Sequence, residues 1–231
     1  LLLEKGNLFI AKEIEKKVVA FNNSSFISNI LEVQSKYQEG NLGIRDKQCL
    51  VKYFLGNNQI TNDKLEESYG KIIELEKEKE IDELIRNIDS SIKSFRIINS
   101  QPKCNFIDNS TFVDIHELGD GLYKYISILL SLFICHDSYL FIDEIDNGIH
   151  YSNLDKLWEI ILKVSREKNV QVFATTHSKE CIESYARVSK KFEDEDMTYI
   201  KMSRLEDGTI KAGVRDYEMF QDTLDDEHEI R

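Results

Sequence analysis

The sequence predicts an α/β protein: a mostly parallel sheet flanked by helices, with a helical insertion before the central strands and a C-terminal hairpin. Three stretches carry this reading. The first is YLFIDEIDNGIH, residues 139–150, where a short apolar run ends abruptly at Asp143, Glu144 and Asp146. Such a run between polar flanks reads as a buried strand. Carboxylates at its tip lie where open α/β sheets hold ligands, beyond the carboxyl ends of the strands. The second is VQVFATTHS, residues 170–178, a strand leading to His177. Strand, helix and strand over about 35 residues is the size of a βαβ unit, so these two strands are expected to be parallel. The third is LGDGLYKY, residues 118–125, a glycine pair opening a helix that is apolar nearly all round. A helix of that kind belongs inside a layer.

From the N-terminus, Leu8–Ile10 and Val18–Phe21 are short apolar runs that fit strands. The mixed polar stretch after them reads as a short helix around Phe26–Tyr37 and a loop at Gly40–Gly43. Leu50–Phe95 is expected to be mostly helical. Within it, Lys64–Lys79 is so charged that a solvated helix face is the simplest reading. Ile81, Leu84, Ile85, Ile88 and Ile92 then follow the spacing of an amphipathic helix on a core. Phe95–Ile98 and Phe106–Ile115, separated by Pro102 and an Asp-Asn-Ser turn, predict a hairpin-like pair. Beyond the acidic strand, Ser152-x-x-Asp155 resembles a capping box with Asp in place of Glu. Leu154, Leu157, Trp158, Ile161 and Val164 mark one face of the next helix, with Trp158 in the core. A helix over Lys179–Lys191 follows the second strand. Tyr199–Met202 and Thr209–Val214 flank Glu206-Asp207-Gly208, a hairpin signal. Asp216–Leu224 reads as a last short helix before an acidic tail.

Composition narrows the function. A net charge of −12 and a pI near 5.0 argue against a surface that coats nucleic acid, which needs clustered Lys and Arg. A local basic patch stays compatible with that balance. No apolar run approaches the ~20 residues of a membrane span, and no secretory signal is visible, so a cytoplasmic protein is expected. Cys49, Cys104, Cys135 and Cys181 are far apart with no C-x-x-C pair, which is neither a zinc pattern nor a disulfide framework. Cys135 and Cys181 fall in helical contexts as small packing residues. His116, His136 and His228 have no partner pattern and read as surface or structural.

The three motifs together resemble a known family. YLFIDEID resembles a Walker B strand, and FATTHS resembles the switch-histidine strand of ABC-class P-loop ATPases. LGDGLYKY resembles the glycine signature of the AAA/OLD-type members of that class, ATPases often found in phage-defence systems. The order of signature, Walker B and histidine matches, and the resemblance covers about residues 95–185. It implies a P-loop NTPase-type sheet that uses ATP and Mg2+. Asp143 would hold the metal, through oxygen ligands and retained waters as magnesium prefers. Glu144 would orient or deprotonate the attacking water, and His177 would donate to the γ-phosphate. Gly119, Asp120 and Gly121 would address the nucleotide of the other protomer from a helix N-terminus. Asp146 and Asn147 would form a loop crossing a homodimer interface, with His150 nearby, and Lys124 sits where a basic contact is sought. A partner effector protein or DNA is the implied client; no membrane is. The domains expected on this reading are 1–48, a residual N-terminal part of the sheet; 49–95, a helical insertion or lid that could bind a partner; and 96–231, the C-terminal ATPase portion.

One departure is large. No G-x-x-x-x-G-K-[ST] occurs, and the only Gly-Lys, Gly70-Lys71, runs on into Ile72 within a charged stretch. That loop makes most phosphate contacts. The chain opens on Leu-Leu-Leu, so the expectation is that the loop lies upstream of Leu1, and that the chain as written hydrolyses ATP poorly or not at all. Two other readings stand beside this one. A metal-dependent nuclease could use Asp143, Glu144, Asp146, His150 and His177, since two-metal sites use such carboxylate clusters. A scaffold could keep the fold without nucleotide chemistry. Singly, each motif has a bland equivalent: a loop start, a turn, a structural histidine. Their order and spacing carry the argument.

Overall fold

The computed structural model describes residues 10–13, 16–19, 51–54, 61–135, 139–193, 196–207 and 209–220. The expected helix at 26–37, the loop at 40–43, Cys49, His136, His228 and the acidic tail lie outside these residues. Two compact units emerge. One comprises 1–48 with 196–222, the other 49–195 with 223–231.

In the first unit, β1 (Ile10–Glu13) and β2 (Lys16–Val19) pair antiparallel. The second unit begins with β3 (Val51–Phe54), a strand where the sequence suggested helix. Helix α1 (Asn62–Glu74) starts at Thr61, whose hydroxyl accepts the Lys64 amide at 3.4 Å. Its charged face is solvated, as expected, but Leu65, Tyr69 and Ile72 form a buried stripe. Helix α2 (Glu78–Ile88) buries Ile81, Leu84 and Ile85 of the repeat read from the sequence, but it ends at Ile88, and Ile92 opens the next strand instead.

Next come β4 (Ile92–Ile98), β5 (Gln101–Phe106) and β6 (Asn109–Asp114), an antiparallel sheet of three strands in the order β4-β5-β6. The expected hairpin pair therefore gains a middle strand, and Pro102 lies within it rather than between strands. Pro102 pairs with Ile97 on β4, while pairing with β6 starts at Lys103↔Asp114. On the β6 side Pro102 has no strand opposite it, which is where a residue without an N–H is tolerated in a sheet. Asp82 pins this sheet to α2: its buried carboxylate accepts the Phe95 amide at 2.8 Å and the Arg96 guanidinium at 3.0 Å.

Helix α3 (Asp120–Ile134) is the centre of the core, with Tyr125, Ile126, Ile128, Leu129, Leu130, Leu132 and Phe133 all buried. Its polar groups are satisfied internally. The Tyr125 hydroxyl donates to the Leu84 carbonyl at 2.9 Å and Ser127 to the Tyr123 carbonyl at 2.7 Å. Then β7 (Tyr139–Ile142), α4 (Leu154–Lys168) and β8 (Gln171–Ala174) form the expected βαβ unit. The parallel sheet runs β3-β7-β8, with Ile142 opposite both Phe54 and Ala174. The capping box is not formed. A short 3-10 turn, Tyr151–Asn153, precedes α4, and His150 rather than Ser152 caps that turn. Asp155 instead reaches α5 (Lys179–Lys191), accepting from Ser184 at 2.5 Å and from Arg187 at 2.8 Å. Trp158 is in the core, its indole N–H on the Cys181 carbonyl at 3.2 Å.

The expected C-terminal hairpin is present in the first unit as β9 (Tyr199–Arg204) and β10 (Ile210–Arg215). Residues 217–220 are helical, and Phe220 is buried with its ring stacked on Tyr199; the rest of the expected last helix lies outside the described residues.

Candidate functional site

Parallel pairing sends β7 and β8 out of the sheet at the same end, in register. One residue past the last paired rung stand Asp143 and Thr175. The Thr175 hydroxyl donates to Oδ1 of Asp143 and accepts the Glu144 amide at 2.9 Å. The main chains stay joined as well. The Thr175 amide donates to the Ile142 carbonyl, and the Ile145 amide donates to the Thr175 carbonyl, each at 3.0 Å. One step further, the Thr176 hydroxyl donates to Asp146 Oδ1 at 2.5 Å and accepts the Ser178 amide at 3.0 Å.

Alternation along a strand would send Asp143 and Glu144 to opposite faces. The chain breaks that alternation at Glu144 itself, which has φ +47°. A non-glycine residue in the left-handed region is uncommon and must be held by its surroundings. Here Asn147 donates twice to Glu144, from its amide to the carbonyl at 2.9 Å and from Nδ2 to Oε2 at 3.0 Å. Ile145, fully buried, anchors the turn below. Glu144 is left exposed at the tip.

Lys124 comes from α3. It is only 5% exposed, and its Nζ donates to the main-chain carbonyl of Asp143 at 3.0 Å. Burial pushes its ammonium below the ordinary lysine range, while the charges of Asp143, Glu144 and Asp146 act in the opposite sense. The basic contact sought at this position is thus made to the acidic turn from behind.

The glycine pair divides into two jobs. Gly119 is the N-cap of α3, with φ +101° and ψ 155°, a conformation almost confined to glycine. No side chain caps the first turn, and Asp120 places a carboxylate in it, which favours the helix start through the dipole. Gly121 packs backbone against backbone: a Cβ there would sit 2.2 Å from the Gly148 carbonyl oxygen. The glycine turn is thereby seated directly on the loop that carries Asp146 and Asn147.

Asp143, Glu144, Asp146, Asn147, Gly121 and Lys124 therefore form one connected cluster. His177 follows Thr176 directly and is exposed, at the same end of the sheet, and among the described residues its ring makes no hydrogen bond. His150 is turned to local work, its Nδ1 2.9 Å from the Ser152 hydroxyl and its ring against Tyr151. Thr175 and Thr176 were missed from sequence. Their signal was two hydroxyl residues closing a strand parallel to, and in register with, one that ends in acids.

The donor set fits a hydrated divalent cation: one carboxylate at a strand tip, with Oδ2 free of hydrogen bonds among the described residues. Among the described residues, no group of three His, Cys, Asp or Glu side chains is placed to hold a bare metal ion, and no helix is long and apolar enough to cross a membrane. The sequence supplies no phosphate-cradling glycine loop with Lys and Ser/Thr.

Residues 51–183 match the family described as "AAA domain, putative AbiEii toxin, Type IV TA system". An ATP/GTP phosphatase of Helicobacter pylori is 32% identical over 110 residues, which are 46% of this chain and 30% of that protein. This chain thus matches less than a third of that relative's length. Three solved structures are similar at low identity, each with a TM-score below 0.5. One, studied for ATP-driven dimerization and DNA-stimulated activation of SMC ATPases, has 15% identity and a TM-score of 0.48, covering 71% of this chain and 99% of that one. A head bound to the C-winged helix domain of ScpA has 14% identity and a TM-score of 0.49, covering 69% and 48%. A head with an extended coiled coil from Pyrococcus furiosus has 18% identity and a TM-score of 0.43, covering 71% and 45%. The matched segment 51–183 holds β3, β7, β8 and every residue of the acidic cluster, and, since it takes in more than half of the sequence, this chain belongs to that family of AAA domains.

Proposed function

We propose that this chain is the signature, Walker B and switch-histidine portion of an ATP-hydrolysing, ABC-class AAA protein. The observation that carries the reading is the common exit of β7 and β8, which brings Asp143, Glu144 and the segment ending in His177 to one edge of a parallel sheet. The name of the Helicobacter relative, ATP/GTP phosphatase, agrees with it. Mg2+-bound ATP, when present, supplies the electrophilic γ-phosphoryl group. Asp143 would hold the metal through water. Glu144, exposed at the tip and steadied by Asn147, orients the attacking water and takes its proton. His177 donates a hydrogen bond to the transferring group. Gly119 and Gly121 open a helix whose uncapped first turn faces the nucleotide of a second protomer, with Asp146 and Asn147 at the joint. The phosphate loop that such a site needs is not among residues 1–231. Closure of the pair on ATP and its release on hydrolysis would switch a partner effector or DNA, with the helices α1 and α2 of the segment 49–95 as the partner-binding part and phage defence as the setting.

The test uses the natural full-length protein and measures steady-state ATP turnover. Glu144→Gln is expected to slow hydrolysis by about 100-fold or more while leaving ATP binding intact. Equal rates would remove Glu144 from the role of base. A parent that binds no ATP would leave the scaffold reading in its place.

A further inference from the structure

One hydroxyl stands at the junction of both acidic roles. Thr175 has a single proton, and it goes to Asp143 Oδ1. Its oxygen accepts from the Glu144 amide at 2.9 Å. A hydroxyl can do both at once because it has one donor and two acceptor lone pairs. Fixing Oδ1 leaves Oδ2 as the oxygen offered to a hydrated cation. Fixing the Glu144 amide helps hold the left-handed turn, φ +47°, that ends strand alternation and turns the Glu144 side chain outward. The main-chain bonds around it do not duplicate this work. The Ile145 amide goes to the Thr175 carbonyl, so it is independent of the side chain, and Lys124 reaches only the carbonyl of Asp143.

We propose that Thr175 is a positioning residue that sets the Asp143 carboxylate and the Glu144 turn together, so that the orientation of the cation ligand and of the water-activating acid is coupled through one side chain. The proposal rests on the ATPase reading for its consequence, and on geometry alone for its first test. Outer-shell hydrogen bonds to metal ligands typically matter by about 10–100-fold in metal affinity or activity. Neither Glu144 nor Asp143 needs to be changed to see the effect.

The test compares Thr175→Val, which keeps the shape and removes the hydroxyl, with Thr175→Ser, which keeps the hydroxyl and removes the methyl. Amide hydrogen exchange by NMR on this chain is the first readout. In Thr175→Val the Glu144 amide is expected to lose protection while the Ile145 amide, bonded to the Thr175 carbonyl, keeps it; Thr175→Ser is expected to protect both. Unchanged protection of Glu144 in the valine variant overturns the proposal, as does equal loss in the serine variant. If the valine variant does not fold, Thr175→Ala serves in the same comparison. The second readout is the magnesium dependence of ATP turnover in the natural full-length protein. Thr175→Val is expected to raise the half-saturating Mg2+ concentration and lower kcat by about 10-fold each, with Thr175→Ser within about 2-fold of the parent. An active parent with a valine variant equal to it in both constants also overturns the proposal. An inactive parent with the expected exchange pattern counts against the ATPase reading and leaves the positioning role standing.

Discussion

Replacing Gly121 by Ala separates packing from helix propensity, because the two act in opposite directions there. In a helix, Gly→Ala is favourable by roughly 0.5–1 kcal/mol, and by less in a first turn. Against that stands a Cβ placed 2.2 Å from the Gly148 carbonyl oxygen and 3.1 Å from its carbon. Both are backbone atoms of the loop that carries Asp146, so no side chain can rotate away. An ordinary carbon–oxygen contact needs on the order of 1 Å more, and forcing atoms into a packed site costs about 1–3 kcal/mol. The net expectation is a loss of about 1–2 kcal/mol. Gly70, inside α1, is the control, since nothing lies within 4 Å of the Cβ it would carry. Gly70→Ala is expected to gain up to about 1 kcal/mol. Urea unfolding followed by circular dichroism reads both variants against the parent. A Gly121→Ala protein as stable as the parent, with Gly70→Ala also neutral or better, would refute the backbone contact between the signature turn and the acidic loop.

Two further outcomes follow from buried and paired carboxylates. Asp82→Ala leaves the amide of fully buried Phe95 without its acceptor and Arg96 without its partner, and is expected to cost about 2–3 kcal/mol in urea unfolding; a change below about 0.5 kcal/mol would contradict the pinning of α2 to β4. Burial tends to raise the pKa of Asp155, but hydrogen bonds from Arg187 and Ser184 outweigh it and hold the carboxyl below the usual aspartate range. The unfolded chain then binds more protons in the interval between the two values. This contribution to stability is therefore present above the ordinary aspartate range and lost as pH falls through the depressed value. Asp155→Asn should flatten that part of the acid unfolding curve, and an unchanged curve would count against the pairing.

The sequence made the βαβ unit legible because its strands are short apolar runs bounded by polar residues, and because one helix separates them. It made α3 legible as well, since Tyr125 to Phe133 is apolar on every side. Other features depended on long-range partners. Val51–Phe54 is a strand because β7 lies beside it, and nothing local to VKYF distinguishes it from a helix start. Pro102 looked like a separator, and it is accommodated in β5 only because β6 stops short of it. Ser152 and Asp155 had capping spacing, yet α5 supplies Asp155 with better partners from 29 and 32 residues away. At the site, the acids were visible because charge at a strand tip is conspicuous. The threonines that aim them were not, because a hydroxyl shows its role only once the neighbouring strand is in register. Gly121 also has a packing role that the sequence did not show, with the Gly148 backbone where a side chain would stand.

The central claim is that the tips of β7 and β8 form one cation–nucleotide site. Iron-mediated cleavage tests it most directly. Fe2+ replaces Mg2+ in the natural full-length protein, peroxide and ascorbate generate radicals at the bound metal, and the cut positions are mapped by mass spectrometry. The account predicts ATP-dependent cuts at 143–146 and 175–177, abolished by Asp143→Asn. Cuts that ignore ATP, or that fall instead at the acidic cleft of Glu80, Glu83 and Glu167 between α2 and α4, would contradict it.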